Sequence, residues 1–257
     1  MTVRLTFLCA TPGSGAPDPA FGDCALDERG RREAASVKAA LPPYSLALRA
    51  PSIRCAQTAE AVGVAAAPEN ALRDIDYGRW TGRTRADIAA GDPHGLSAWL
   101  TDPDAAPHGG ESVAGLCRRT AAWLGSLPDD ARVLAITEAP VVRAALVHVL
   151  SAPARAFWHL DVPPLSVITV TLHDAGDAGA GDPALPRQRA SAAGAALAGT
   201  ASVGVAFAGP ASVDAASVDA ASVDAAAVDA AAVDAASADS ASVDAASVGP
   251  AVRRTRR

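Results

Sequence analysis

Strand-like and helix-like segments alternate along residues 3–172, and this alternation constrains the fold more than any other feature of the sequence. The strand-like segments are 3–8, 44–50, 133–137 and 166–172, and the segments with helical apolar spacing are 27–41, 53–63, 112–127 and 139–150. Parallel strands need a long crossover between them, which is usually a helix. The alternation therefore predicts an α/β domain, a three-layer α/β/α sandwich with a mostly parallel sheet that ends near residue 173.

The sequence changes character at residue 174. Residues 174–210 are rich in Ala, Gly and Pro without a steady period and are predicted to be a linker, and a five-residue repeat of the type ASVDA then begins. Five residues advance an α-helix by about 140° beyond a full turn, and an odd step reverses the side of a strand, so neither element gains a consistent apolar face. We predict that residues 211–257 are a low-complexity tail, disordered or weakly helical. A short β-solenoid with four repeats in each coil is the alternative.

The negative charge of the chain is concentrated in that repeat. Seven aspartates recur there, and the whole chain has a net charge of −6, so the remainder is close to neutral. The repeated aspartates are Asp214, Asp219, Asp224, Asp229, Asp234, Asp239 and Asp244. A near-neutral body gives no electrostatic reason to expect a nucleic acid or a membrane surface as partner.

The cysteines and the first residues indicate the compartment. Four cysteines, Cys9, Cys24, Cys55 and Cys117, are widely separated and form no CxxC motif. The apolar run within residues 1–15 is too short for a signal peptide or a membrane span. These observations predict a cytoplasmic protein with reduced thiols. The sequence gives no indication of the oligomeric state.

Five segments carry motifs in a fixed order along the chain. They are ALDERGRREA (25–34), APSIRCAQTAEAVG (50–63), LRDIDYGRWTGRTRADI (72–88), HGGESVAGLCRRTAAWL (108–124) and VLAITEAPVVRAAL (133–146). In this order they resemble the histidine phosphatase superfamily, which has a phosphoglycerate-mutase-like fold. The resemblance covers residues 3–172, and the short connections are more similar to the small phosphatases than to the mutases. It implies a small molecule, phosphorylated or not, as ligand and no cofactor or metal.

The resemblance also assigns the catalytic positions. In that family a histidine within Arg-His-Gly becomes phosphorylated, and a second histidine follows a later strand. Here the first motif becomes Cys9-Ala10-Thr11, and Thr137-Glu138 stands where the family has Ser-His. Both histidines are therefore replaced. Because covalent catalysis needs a nucleophile at a fixed place, an alanine methyl at this position predicts that no phosphohistidine forms.

Two other positions keep part of the family's chemistry. Arg54 is retained from the phosphate ligands, and Asp74 stands at the position of the acid that protonates the leaving group, one methylene shorter. Two partly buried opposite charges about 4 Å apart attract by about 4 kcal/mol, and like charges repel by the same amount. If ionised, Glu138 would thus oppose a phosphate dianion as strongly as Arg54 attracts it; the alternative is that burial keeps Glu138 protonated. The sequence predicts weak binding of phosphomonoesters.

Cys9 and His108 are two further candidates for a residual catalytic or binding role. Cys9 would be a nucleophile if Arg54 stabilised its thiolate, but a small buried core cysteine is the interpretation we favour. His108 precedes a helix start beside Pro107 and is expected to face solvent instead of the pocket.

The carboxylates Asp74 and Glu138 have three interpretations. They can act as an acid–base pair on a neutral or cationic substrate, or bind a hard cation, although two carboxylates make a poor cation site. The third, which we favour, is that Glu138 forms an ion pair with Arg54 and the pair stabilises an empty pocket.

These observations predict a histidine-phosphatase-like protein with a degenerate active site, a non-catalytic ligand- or partner-binding domain. The predicted ligand-binding residues are Arg54, Cys9, Ala10, Thr11 and Thr137, and Asp74 and Glu138 are the catalytic candidates if activity persists. The alternative is a residual or altered phosphomonoester hydrolase that acts on a small phosphorylated metabolite without a phosphohistidine. A third possibility is an interaction protein whose repeated tail provides several binding sites.

Overall fold

The computed structural model describes residues 2–12, 19–173 and 201–206 of the chain. The chain divides into two units, Met1–Ala220 and Ala221–Arg257, and every described residue lies in the first. The predicted tail, residues 211–257, lies outside the described residues, as does most of the predicted linker.

The eight predicted helices and strands are all present. The strands are β1 (Thr2–Cys9), β2 (Leu46–Arg49), β3 (Ala67–Pro68), β4 (Arg132–Thr137), β5 (Val167–His173) and β6 (Ala201–Ala206). The helices are α1 (Glu28–Ser36), α2 (Ile53–Ala61), α3 (Arg85–Gly91), α4 (Pro93–Thr101), α5 (Val113–Leu124) and α6 (Ala139–Val149). Among the described residues, no helix combines the length and the apolar run that crossing a membrane requires.

The strands form one sheet in the order β3-β2-β4-β1-β5-β6. The pairings β2–β3, β2–β4 and β1–β4 are parallel, whereas β5 runs antiparallel to both β1 and β6. The mostly parallel sheet is therefore confirmed, with antiparallel strands at one side.

Burial along the central strands shows that helices cover both faces of the sheet. Leu5, Phe7 and Leu8 in β1 are fully buried, and Thr6 between them is 3% exposed. Since successive side chains of a strand point to opposite faces, continuous burial requires a layer on each side. Helix α1 packs against α2, and α5 packs against α6. The predicted three-layer α/β/α sandwich is thus the observed fold.

The sheet extends beyond the predicted end of the domain near residue 173. Strand β6 comes from the middle of the predicted linker and pairs antiparallel with β5, with Ala201 opposite Leu172 and Ala206 opposite Val167. The sequence of β6, ASVGVA, has only two β-branched valines among small residues. Such a segment has little strand propensity of its own, and pairing with β5 supplies the backbone hydrogen bonds that sequence patterns do not report.

Candidate functional site

The carboxyl ends of β1 and β4 bring two predicted site segments together. The strands are parallel neighbours in which Cys9 lies opposite Thr137, so Ala10 and Glu138 leave the sheet at the same edge. The backbone N–H of Ala10 donates to the carbonyl of Thr137 at 2.8 Å. Ligand sites of α/β proteins lie at this edge, outside the carboxyl ends of the strands.

Helix α2 brings Arg54 to the same edge. Its N-terminal amides are capped by the Ser52 hydroxyl, which accepts from Cys55, and by Asp23, which accepts from the amides of Ile53 at 2.7 Å and Arg54 at 3.3 Å. Asp23 also accepts from Nε of Arg54 at 3.4 Å, so one carboxylate holds both the helix start and the guanidinium. Sequence reasoning missed Asp23, because it lies in an irregular loop with no periodic signal.

These residues surround a pocket of about 200 Å³. Five of the seven predicted site residues line it: Cys9, Ala10, Arg54, Asp74 and Glu138. The remaining described walls are Pro12, Pro19, Ala20, Phe21, Gly22, Tyr77, Ala139, Pro140, Val162 and Pro164. No histidine is among the described lining residues.

The two predicted threonines are buried but do not line the pocket. The hydroxyl of Thr137 donates to the carbonyl of Leu72 at 2.8 Å, and that of Thr11 donates to the carbonyl of Pro12 at 3.4 Å. Both hydroxyls therefore support the backbone around the pocket instead of facing into it.

Glu138 is the most buried charged group of the pocket. Its side chain is 3% exposed, and Oε1 lies 4.0 Å from Nε of Arg54. This is the ion pair that the sequence suggested, but it is longer than the contact between Arg54 and Asp23. Within the described residues Oε1 accepts no hydrogen bond, and Oε2 is 3.5 Å from the Thr137 hydroxyl, which already donates to Leu72. A buried carboxylate with so few donors is costly to hold in the native state.

Asp74 lines the same pocket as Glu138 and responds to its charge. Burial, and then the negative charge of Glu138, raises the pKa of Asp74 from 3.8 to about 8, although Arg54 and a hydrogen bond of 2.8 Å from the Ile75 amide act in the opposite direction. Asp74 is therefore a neutral acid at pH 7. A protonated carboxyl in a pocket can donate a hydrogen bond or a proton.

An ion pair outside the pocket holds the loop that carries Asp74. Arg119 of α5 donates to both oxygens of Glu111, at 2.9 and 2.7 Å. The same guanidinium donates to the carbonyls of Ala71 at 2.6 Å, Arg73 at 3.0 Å and Asp74 at 3.4 Å. Sequence reasoning missed this role of Arg119, although Glu111 belongs to the GGES segment and the arginine follows it by two helical turns.

Cys9 does not have the environment of a nucleophilic thiol. It is 2% exposed, and burial followed by the charge of Glu138 raises the pKa of its thiol to about 12, outweighing the effects of Arg143 and Arg54. The possibility that Arg54 stabilises a Cys9 thiolate is therefore wrong. The thiol packs as a small apolar group and points toward the carbonyl of Ala10 at 3.6 Å.

His108 was expected to face solvent, and that prediction is wrong. The side chain is 2% exposed, and its ring lies 4.9 Å from the Trp80 ring and 6.3 Å from the Trp99 ring. Nδ1 accepts from the Gly110 amide at 3.0 Å, and burial lowers the pKa of the imidazole. The tryptophans that cover it come from distant segments, so its local sequence resembled an exposed turn.

Metal chemistry has little support in the described part of the chain. No group of three or more histidine, cysteine, aspartate or glutamate side chains is placed there to hold an ion. Asp74 and Glu138 alone provide fewer oxygen ligands than Mg²⁺ or Ca²⁺ ordinarily takes from a protein site and its waters.

The sequence of the α/β domain is similar to those of known proteins. The model of the histidine phosphatase superfamily (branch 1) matches residues 20–178. A curated relative, the glucosyl-3-phosphoglycerate phosphatase of Mycobacterium tuberculosis, is 29% identical over an alignment of 153 residues that covers 53% of this chain and 68% of that protein.

Solved structures share the fold. The mycobacterial glucosyl-3-phosphoglycerate phosphatase has a TM-score of 0.58 at 23% identity, covering 67% of this chain and 92% of that one. The same enzyme in complex with inorganic phosphate has a TM-score of 0.52 at 24% identity, covering 67% and 90%. YhfR of Bacillus stearothermophilus has a TM-score of 0.59 at 21% identity, covering 68% and 92%.

Proposed function

The chain belongs to the histidine phosphatase superfamily, and from this premise we propose that its α/β domain binds a small ligand without transferring a phosphoryl group. The pocket around Arg54, Asp74 and Glu138 is the proposed binding site. Thr11 and Thr137 act in this proposal as supports of the surrounding backbone.

One observation carries the proposal: the positions that the family resemblance assigns to histidines hold the methyl of Ala10 and the carboxylate of Glu138, and both line the pocket. A methyl group cannot be phosphorylated, and Glu138 stands at the position of the second histidine instead of the phosphorylated one. Cys9, the other nucleophile type in the pocket, is buried, and burial raises the pKa of its thiol to about 12, so the thiol stays protonated at pH 7.

Electrostatics also argue against a phosphate dianion as the preferred ligand. Arg54 already faces Asp23 at 3.4 Å and Glu138 at 4.0 Å. A phosphate would therefore meet a cation whose charge is already largely compensated. A carboxylate about 4 Å from a phosphate oxygen opposes binding by about 4 kcal/mol at a partly buried site.

A second candidate, residual phosphomonoester hydrolysis, is favoured by Asp74. Its pKa of about 8 keeps it protonated at pH 7, as a general acid for a leaving alkoxide must be. Arg54 remains to orient an ester oxygen, and the curated relative described above is named as a phosphatase. In this alternative water attacks the phosphorus directly and no covalent intermediate forms.

Turnover separates the two candidates. We would incubate the full chain with a panel of sugar, nucleotide and riboside phosphates and measure released phosphate, with Arg54→Ala and Asp74→Asn as pocket variants. Arg85→Ala, at the exposed start of α3, is the matched control. The proposal predicts no release above that of Arg54→Ala. Release that both pocket variants abolish and the control retains would establish the hydrolase instead.

A further inference from the structure

Carboxylates outnumber the one guanidinium that lines the pocket. Asp23 and Glu138 lie 3.4 and 4.0 Å from Nε of Arg54, and Asp74, whose raised pKa keeps it largely neutral at pH 7, adds a third carboxyl group beside them. Two further arginines contribute at longer range but do not line the pocket. Arg119 is engaged by Glu111 and by backbone carbonyls, and the guanidinium of Arg143 lies 5.7 Å from the centroid of the Phe157 ring.

One carboxylate oxygen in the pocket lacks a hydrogen-bond donor. Oε1 of Glu138 is buried and receives no N–H or O–H hydrogen bond within the described residues. The Cys55 thiol also faces Glu138, but burial and this carboxylate raise the pKa of the thiol, which leaves it a protonated and weak donor. An ammonium group would supply the strong donors that the carboxylate lacks.

Aromatic rings form part of the same wall. Phe21 and Tyr77 both line the pocket, and their ring centroids are 4.6 Å apart. A cation near the face of an aromatic ring is attracted by the ring quadrupole, most strongly where water is excluded. The volume of about 200 Å³ lies below the range of about 300–1,000 Å³ typical of drug-sized ligands, so the occupant is small.

We propose that the pocket binds small primary ammonium compounds, with Glu138 and Asp74 accepting hydrogen bonds from the ammonium N–H groups. This inference rests on the proposed function and makes it more specific. The other candidate ligands match the pocket less well. A phosphate dianion meets Glu138, and a divalent metal finds no cluster of three ligating side chains in the described ranges. An ammonium ion requires neither a nucleophile nor a complete metal shell.

Binding can be measured on the full chain by thermal unfolding with ethylammonium chloride, against sodium chloride at the same ionic strength. We expect the midpoint to rise with the ethylammonium concentration and to saturate. Glu138→Gln keeps the shape of the side chain and removes its charge, so it should weaken binding about ten- to a hundredfold. Asp74→Asn is the second pocket variant. Glu60→Gln, an exposed site on α2, is the matched control and should bind normally.

The outcomes separate this inference from the function on which it rests. The ammonium inference is overturned if the unfolding midpoint of the wild type shows no saturable shift. It is also overturned if the midpoints of Glu138→Gln and Asp74→Asn shift as much as that of the wild type. Stabilisation by inorganic phosphate that Arg54→Ala abolishes, without hydrolysis of any ester, overturns the ammonium inference and leaves non-catalytic binding intact. Hydrolysis of a phosphate ester that depends on Arg54 overturns the proposed function itself.

Discussion

Replacing Asp74 by asparagine should stabilise the protein, and the gain should increase with pH. In the native state Asp74 keeps its proton up to about pH 8, whereas the ordinary value for an unfolded chain is 3.8. Between these two pH values folding takes up a proton. The contribution of Asp74 to the stability of the native state is therefore fully present below pH 3.8 and is lost as the pH rises through about 8. Asparagine has no charge to bury, and its side-chain oxygen can still accept from the Ile75 amide.

The pKa shift sets the size of the effect. One pKa unit corresponds to about 1.4 kcal/mol, so the shift from 3.8 to about 8 places an upper limit of about 6 kcal/mol on the penalty above pH 8. Because the side chain is only partly buried, solvent screens some of this energy, and we expect a gain of about 2–3 kcal/mol at pH 8. At about pH 5 the same reasoning gives a gain in the free energy of unfolding of less than about 1 kcal/mol for Asp74→Asn.

Urea unfolding of the wild-type and variant full chains at pH 5 and pH 8 measures this difference. Asp129→Asn, at an exposed aspartate, is the control and should change stability little at either pH. The reasoning is refuted if the gain for Asp74→Asn is the same at both pH values, or if the variant is less stable than the wild type at pH 8.

Three further predictions concern residues around the site. Arg119→Met should destabilise the protein by about 3 kcal/mol, because it leaves a partly buried carboxylate and several carbonyls without their donor; a urea midpoint equal to that of the wild type would contradict this role. A disulfide reagent at pH 8 should modify the exposed Cys24 in the native protein, whereas Cys9 and Cys55 should react only after unfolding, and rapid labelling of Cys9 would refute its assigned environment. Because burial lowers the pKa of His108, stability should fall as the pH drops below 6.5, and His108→Asn should lose less stability between pH 7 and pH 5 than the wild type; equal losses would exclude this origin.

The residues that could be predicted from sequence are those that follow regular elements. Ala10 and Glu138 come directly after strands, and Arg54 lies in the first turn of a helix, so the topology of a parallel sheet brings them to one edge. Motif order added Asp74, which lies in an irregular segment. The sequence therefore predicted the membership of the pocket better than its electrostatics.

The residues that sequence missed depend on contacts between distant segments. Asp23 caps a helix about thirty residues away along the chain, and Arg119 donates to carbonyls of the loop that holds Asp74. His108 is buried by tryptophans that meet only in the folded domain. Strand β6 has little propensity of its own and is defined by its pairing with β5. None of these contacts leaves a periodic pattern in the sequence.

The central claim is that the pocket retains a site for a ligand and lacks a catalyst for phosphoryl transfer. The most direct test is steady-state hydrolysis of para-nitrophenyl phosphate by the full chain, compared with Arg54→Ala at equal concentration. This substrate has a good leaving group and makes little demand on the general acid, so it reports the nucleophile and the phosphate site. The account predicts the same background rate for both proteins, and a rate that falls when Arg54 is removed would contradict it.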